Sequence, residues 1–270
     1  MNQWIESDEG FLWSGAPGDS GTWALRFREV TPGLYFRPVG RDSWYGPFLG
    51  VLGLTACGRG EEGDVSTSCL THAETIRESV SLEFMPPEWH ETTLKFTWSG
   101  GQNHEFHLIA EISTRSVGML REAEVGIVSA AWGVPESVPQ WLVGVRDEAA
   151  SMRSIDGREP RWIKQVSAFG IDETVAGFGP DRAWPPTLLA SRDAAVRFLE
   201  TSHPHDISRR YRSTDGHVQR TWMLGYDMER GIVLRARARG RFVSAAEDPE
   251  WSSVNAWQKA FLAAPLPLER

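Results

Sequence analysis

Three alternating runs in the first half of the chain limit its fold more than any other feature. Ile76, Glu78, Val80, Leu82 and Phe84 are spaced in twos, as are Leu94, Phe96 and Trp98, and again Phe106, Leu108, Ala110 and Ile112. A period of two places alternate side chains on one face of an extended strand, and no helix gathers them on one side. Pro86 and Pro87 break the first run from the second, and Ser99, Gly100 and Gly101 break the second from the third. The reading is three successive antiparallel strands, whose apolar face must be buried against another layer.

The same period recurs along the chain. Thr22 to Val30 and Leu34 to Val39 predict a hairpin across Thr31, Pro32 and Gly33, while Leu120 to Trp132 and Trp162 to Phe169 suggest further strands. Tyr45 to Leu54, rich in glycine and large apolar residues, fits no single type. Two segments carry helical signals. Ser191 to Thr201 has a capping serine, Asp193 in the first turn, and Val196, Phe198 and Leu199 near helical spacing. Ser253 to Ala264 places Trp257 and Phe261 four apart, which predicts a lid on a sheet edge. The expected fold is all-β, mainly antiparallel, a large β-sandwich or supersandwich with two or so short peripheral helices. Residues 1–270 read as one domain, with 170–186, rich in glycine, proline and acidic residues, as a long loop or weak boundary.

One late strand, Ile232 to Arg241, carries Arg235, Arg237, Arg239 and Arg241 on one face and Ile232, Leu234, Ala236 and Ala238 on the other. His217 to Tyr226 also alternates, so the two read as a hairpin closed by Asp227 to Gly231. The register that sets Trp222 opposite Ala236 keeps apolar against apolar and puts Thr221 opposite Arg237. His217, Gln219, Thr221, Arg235, Arg237 and Arg239 then share a polar face, with Glu229 or Asp227 at its turn.

Charge and motifs remove several function classes. A net charge of -8 argues against nonspecific nucleic-acid binding, which depends on phosphate neutralisation. No apolar run reaches membrane-spanning length, so no membrane partner is expected. The start, MNQWIESDEG, shows no secretory signal, which predicts a soluble cytoplasmic protein. Cys57 and Cys69 flank the loop CGRGEEGDVSTSC; a disulfide could close it after export, and free thiols fit a reducing cytoplasm. His203 and His205, with Asp206 beside them, have a two-ligand spacing but no third ligand nearby, so neither metal nor cofactor is expected. Glycine-rich phosphate loops and the GxSxG elbow are absent from the sequence.

Thirteen tryptophans against four tyrosines are the compositional outlier. Indole faces stack on the C–H faces of sugar rings, although most tryptophans in a strand-rich chain belong to its core. Trp98 alternates with Leu94 and Phe96 and reads as core. Trp44, Trp132 and Trp184 lie beside turn residues and read as exposed platforms. His107 falls on the strand face that carries Glu105 and Glu111, a setting suited to acid–base work. His104 falls on the opposite face with Phe106 and Leu108, a setting for a partly buried histidine. A glycosidase would need two carboxylates across a cleft, and Glu88, Glu105, Glu111, Asp172, Glu173 and Glu229 are the candidates.

The run SLEFMPPEWHETTLKFTWSGGQNHEFHLIAEISTRSVGMLREAEVGIVSAAW, Ser81 to Trp132, resembles the strand succession of galactose mutarotase-like β-supersandwich domains. That family is associated with aldose epimerisation and with domains of polysaccharide-processing enzymes. Its asparagine-and-histidine signature stretches are absent here, so the resemblance implies no catalytic residue. The segment ERGIVLRARARGRF resembles bacterial proteins. Two readings follow, and whether the chain is an enzyme stays open between them. In the first, a carbohydrate ligand is received on the polar sheet face, with His107 and Glu229 as catalytic candidates. Its ligand-binding candidates are His217, Gln219, Arg235, Arg237, Arg239, Trp132 and Trp184, and the arginine forks suit an acidic sugar. In the second, the chain is a noncatalytic structural or assembly protein whose arginine strand pairs with carboxylates of a partner surface. Neither reading fixes an oligomeric state.

Overall fold

The computed structural model describes residues 3–8, 10–14, 21–29, 31–57, 61–63, 69–87, 89, 91–101, 104–115, 121–130, 140–143, 163–164, 171–174, 186–190, 197–203, 207–212, 217–224, 230–243 and 251–265. Its first strands are β1 (Trp4–Ser7), β2 (Gly10–Trp13), β3 (Gly21–Arg26), β4 (Gly33–Pro38), β5 (Tyr45–Phe48), β6 (Gly50–Cys57) and β7 (Glu61–Gly63). Next come β8 (Leu70–Ile76), β9 (Ser79–Phe84), β10 (Thr92–Gly100), β11 (Glu105–Thr114), β12 (Arg121–Ala130), β13 (Gln140–Val143), β14 (Ile163–Lys164) and β15 (Ile171–Thr174). The last are β16 (Thr187–Ala190), β17 (Arg197–Ser202), β18 (Ile207–Arg212), β19 (His217–Met223), β20 (Val233–Phe242) and one helix, α1 (Trp251–Ala263).

All these strands pair antiparallel, in three sheets. Strands β1 to β5 form a five-stranded meander in chain order. A nine-stranded sheet runs β14-β13-β16-β17-β20-β11-β10-β9-β8, and a six-stranded sheet runs β15-β18-β19-β12-β6-β7. One apolar cluster draws on all three: Trp23, Phe36 and Phe48 from the meander, Trp98, Phe106 and Ala236 from the nine-stranded sheet, and Val125, Ile127 and Trp222 from the six-stranded one. The Trp23 ring lies 4.8 Å from Phe106, and Phe48 lies 4.6 Å from Phe198. The chain is thus an all-β sandwich, as the period-two runs require. Gly240 in β20 lets Phe198 reach this core, because a Cβ there would stand 2.2 Å from the phenyl ring.

The second and third alternating strands pair as read, and the part of the first from Ser79 to Phe84 pairs with the second, with Leu94 opposite Ile112 and Phe84. The predicted early hairpin forms as well, with Leu25 opposite Leu34. A polar knot joins the sheets at Leu49. Its N–H donates to Ser129 Oγ at 2.8 Å, its carbonyl accepts from Trp98 Nε1 at 2.9 Å, and Ser129 Oγ donates to the buried Glu200 Oε2 at 2.5 Å.

Four expectations are corrected. β19 and β20 do not form a hairpin; they lie in different sheets, β19 between β18 and β12, and β20 between β17 and β11. The physical reason is cross-strand matching: β11 sets Glu111 opposite Arg235, Glu105 opposite Arg241, and Leu108 and Ala110 opposite Ala238 and Ala236. Within Ser191 to Thr201, Arg197–Ser202 is a strand, not a helix. Phe198 enters the main core and Leu199 a second apolar cluster on the other side, so the strand is apolar on both faces and shows no alternation. The stretch from Ile76 to Phe84 is two strands, because Arg77, at φ 54°, turns the chain between β8 and β9. Helix α1 lies over the face of β20, the fifth strand of nine, and not on a sheet edge. The stretch 170–186 holds the strand β15, and of Trp162 to Phe169 the described part is β14.

Candidate functional site

The outward face of the nine-stranded sheet carries the arginines of β20. Ala236 and Ala238 point to the core, so alternation turns Arg235, Arg237 and Arg239 outward. Their neighbours on β11 are Glu111, Ile109 and His107. Arg235 Nε donates to Glu111, and Arg239 Nη2 donates to Glu105 Oε2 at 2.5 Å. Glu105 is the hub of the face. Its Oε2 also accepts from Trp257 Nε1 at 2.8 Å, and its Oε1 lies 3.0 Å from His107 Nε2. Burial alone would raise its pKa, but the hydrogen bonds from His107, Arg239 and Trp257, with the Arg239 charge, outweigh burial and hold it at about 2.

Helix α1 packs on this face against Arg237, Arg239 and Glu105. Trp257 and Phe261, four residues apart, project from one side of it. The Arg239 guanidinium sits 5.0 Å from the Trp257 ring centre, and that of Arg237 sits 4.9 Å from Phe261. Arg239 Nη1 donates to the Trp257 carbonyl at 3.3 Å, and Arg237 Nη1 donates to the Pro265 carbonyl at 3.2 Å. The last turn of α1 has no basic residue of its own, and Arg237, bonded to the Pro265 carbonyl just past it, places a cation near the C-terminal end of the helix. A small apolar cluster of Leu199, Val243, Val254 and Trp257 completes the contact.

Where α1 ends, a cavity of about 340 Å³ opens, lined by Ser99, His107, Ile109, Arg237, Arg239 and Phe261 among others. The described lining residues include no carboxylate, but that of Glu105, beside the cavity, binds both Arg239 and His107. His107 is 39% exposed in its side chain, so the imidazole edge remains accessible beside two guanidiniums and an aromatic wall. Such a set can hold an anionic or hydroxyl-rich group by charge-assisted hydrogen bonds, with an apolar surface behind it.

The fold brings His107, Arg237 and Arg239 to this one place, with Arg235 a step further along β20. His217 and Gln219 belong to β19 in the six-stranded sheet. Glu229, Trp132 and Trp184 lie outside the described residues, as does His205. Trp98 is core, as read, and so are Trp4, Trp13, Trp23, Trp89 and Trp222. Trp44 is half-buried, with Arg37 at 4.6 Å and Arg26 at 5.4 Å from its ring, so guanidiniums already stack on it. His104 sits at φ 54° just before β11, 6.0 Å from the Phe242 ring, and burial pushes its pKa down. Cys69 is a buried thiol within the main core. Ser99, Trp257 and Phe261 were not anticipated as site residues; the four-residue spacing of the two aromatics marked the helix face, but not what it covers. No helix among the described residues is long and apolar enough to cross a membrane.

No family model matches this chain, and no curated protein matches it. Solved structures of similar shape include a GalM/aldose epimerase homologue from C. elegans, at 9% identity and a TM-score of 0.49, covering 90% of this chain and 99% of that one. A putative kojibiose phosphorylase from human microbiome has 8% identity and a TM-score of 0.49, covering 97% of this chain and 36% of that one. Heparan sulfate lyase HepC from Pedobacter heparinus has 8% identity and a TM-score of 0.44, covering 93% of this chain and 37% of that one.

Proposed function

We propose that this chain binds carbohydrate, and that the sugar it takes is an acidic one seated in the cavity at the end of α1. The observation that carries this reading is the lining: Arg237, Arg239, His107 and Ser99 converge beside Phe261 and Ile109, with no carboxylate among the described lining residues. Guanidinium and imidazole groups suit a uronate carboxylate, a serine hydroxyl suits ring hydroxyls, and the apolar wall suits the C–H face of a pyranose. Within this reading His107, held by Glu105, is the group that would handle a proton, and Glu229 keeps the catalytic role expected of it as a proposal. Trp132 and Trp184 remain proposed contacts of the same ligand, whereas His217 and Gln219, on β19 of the six-stranded sheet, are not assigned to this cavity.

A thermal-shift panel of neutral sugars and uronic acids tests it. Ligand at 100 times its Kd stabilises the native state by about 2.7 kcal/mol, which raises Tm by several degrees in a chain of this size. His107→Ala should abolish the shift, read against that variant's own unliganded Tm, which falls because Glu105 loses a hydrogen-bond partner. No shift with any uronic acid refutes the reading.

A second reading rests on a different observation. Arg235 and Arg239 are each engaged by a carboxylate of β11, and α1 covers Arg237 and Arg239. The arginine strand is then a dock for the chain's own helix, in a noncatalytic structural protein. It predicts that Arg239→Gln loosens α1 whether or not a sugar is present, seen as faster amide exchange in residues 251–263. Unchanged exchange in that variant removes it.

A further inference from the structure

Five strands carry the site outward from the cavity to the edge of the sheet. One transverse row runs Arg239, His107, Ser99, Ser79 and Ile76 across β20, β11, β10, β9 and β8. All five stand on the outward face. Four inter-strand spacings make this row about 19 Å long. Its middle is small and hydroxylated, with Ser99 Oγ and Ser79 Oγ 2.8 Å apart. Beside it stand Thr97 and Ser81, 2.9 Å apart, and the Lys95 ammonium reaches Glu74 at 3.1 Å on the same side. Beyond that lies a row of long charged side chains, Arg235, Glu111, Lys95, Glu83 and His72, one from each strand. Short serines flanked by this wall form a shallow trough that begins at the cavity and ends at Ile76, which is 60% exposed.

The chemistry of the trough is distinct at its two ends. The cavity end has two guanidiniums and an imidazole. The middle has hydroxyls only, and a hydroxyl pair uses one hydrogen for its mutual bond, leaving the second hydrogen and spare lone pairs for a ligand. The far end is apolar. An acidic monosaccharide fills only the first part.

The geometry points to an extended oligosaccharide as the ligand, its acidic residue at Arg237 and His107 and its following sugars lying over Ser99 and Ser79 towards Ile76. This rests on the carbohydrate reading of the cavity. Cross-strand hydroxyl pairs also stabilise sheets with no ligand, so the test must read chain length and not stability.

Calorimetric titration with galacturonic acid and glucuronic acid, and with short oligomers of each, separates the cases. Oligomers should bind about tenfold tighter than the matching monosaccharide, which corresponds to one or two added hydrogen bonds. Ser79→Arg, which fills the trough outside the cavity, should erase that gain. Ser79→Ala, which preserves the fold, should reduce it by a few-fold. Equal affinity for monomer and oligomer, or an oligomer gain that survives Ser79→Arg, overturns the trough while leaving the cavity reading intact. Absence of binding by every uronic probe overturns both.

Discussion

Replacing Glu105 by glutamine tests the electrostatic account of the arginine face most directly. The variant keeps the shape of the side chain and one acceptor oxygen, but removes the charge that Arg239, His107 and the Trp257 N–H share. The carboxyl titrates near 4.5 in an unfolded chain and at about 2 in the fold. At 1.36 kcal/mol for each pH unit of difference, the ionised group contributes at most roughly 3.4 kcal/mol, and about half that once screening by solvent is allowed for. The sign follows from the lowered value. The stabilisation is fully present above pH 4.5 and is lost as the pH falls from 4.5 towards 2. Urea unfolding of both proteins between pH 7 and pH 3 measures it. The wild type should exceed Glu105→Gln by about 1.5–2 kcal/mol at pH 7, and roughly half of that margin should vanish by pH 3. The difference between the two proteins matters, not the absolute acid sensitivity, because other carboxylates protonate in both. A margin that stays constant from pH 7 to pH 3 would show that packing, not charge, distinguishes them, and the hub account would be wrong.

Ser129→Ala removes the donor to Glu200 Oε2 and the acceptor of the Leu49 N–H, both buried. Each buried group left without its partner costs about 1–3 kcal/mol, so a loss of about 2–4 kcal/mol is expected in urea unfolding, and a loss below 0.5 kcal/mol would refute the assignment. At His104, burial lowers the folded pKa below the ordinary 6.5, so the neutral ring is favoured in the fold. Its contribution is present above pH 6.5 and lost as the pH falls below it. His104→Asn, which tolerates the left-handed backbone, should therefore flatten the stability profile between pH 7 and pH 5, and an unchanged profile would contradict this.

Much of the fold follows from local alternation, and the misreadings mark where non-local forces decide. The faces of β20 were legible, since Ala236 and Ala238 could serve only a core if the arginines face outward. Its partner was not, because a nearby alternating segment offered a shorter loop and an acceptable apolar match. The signal for the true partner was nonetheless present: Glu105, His107 and Glu111 recur at the spacing of Arg241, Arg239 and Arg235, and opposite charges directly across a ladder favour pairing. Strand β17 reads as helix in the sequence because burial on both sides erases the period of two. The cavity was illegible for a different reason, since Phe261 becomes a wall only after α1 docks, and docking depends on Glu105 more than 150 residues earlier.

The knot at Leu49 has a kinetic consequence. Its three hydrogen bonds join residues 80, 49 and 71 positions apart, and each links elements that first have to be assembled by themselves. Loop-closure entropy must be spent before such contacts return anything, so they form after the hairpins and near the native end of folding. Interactions of that kind leave the folding rate almost unchanged and slow escape from the native state. The two peptide groups that flank the Leu49 side chain, with Ser129 and Glu200 behind them, are therefore a kinetic lock on how long the three sheets stay together once they have met.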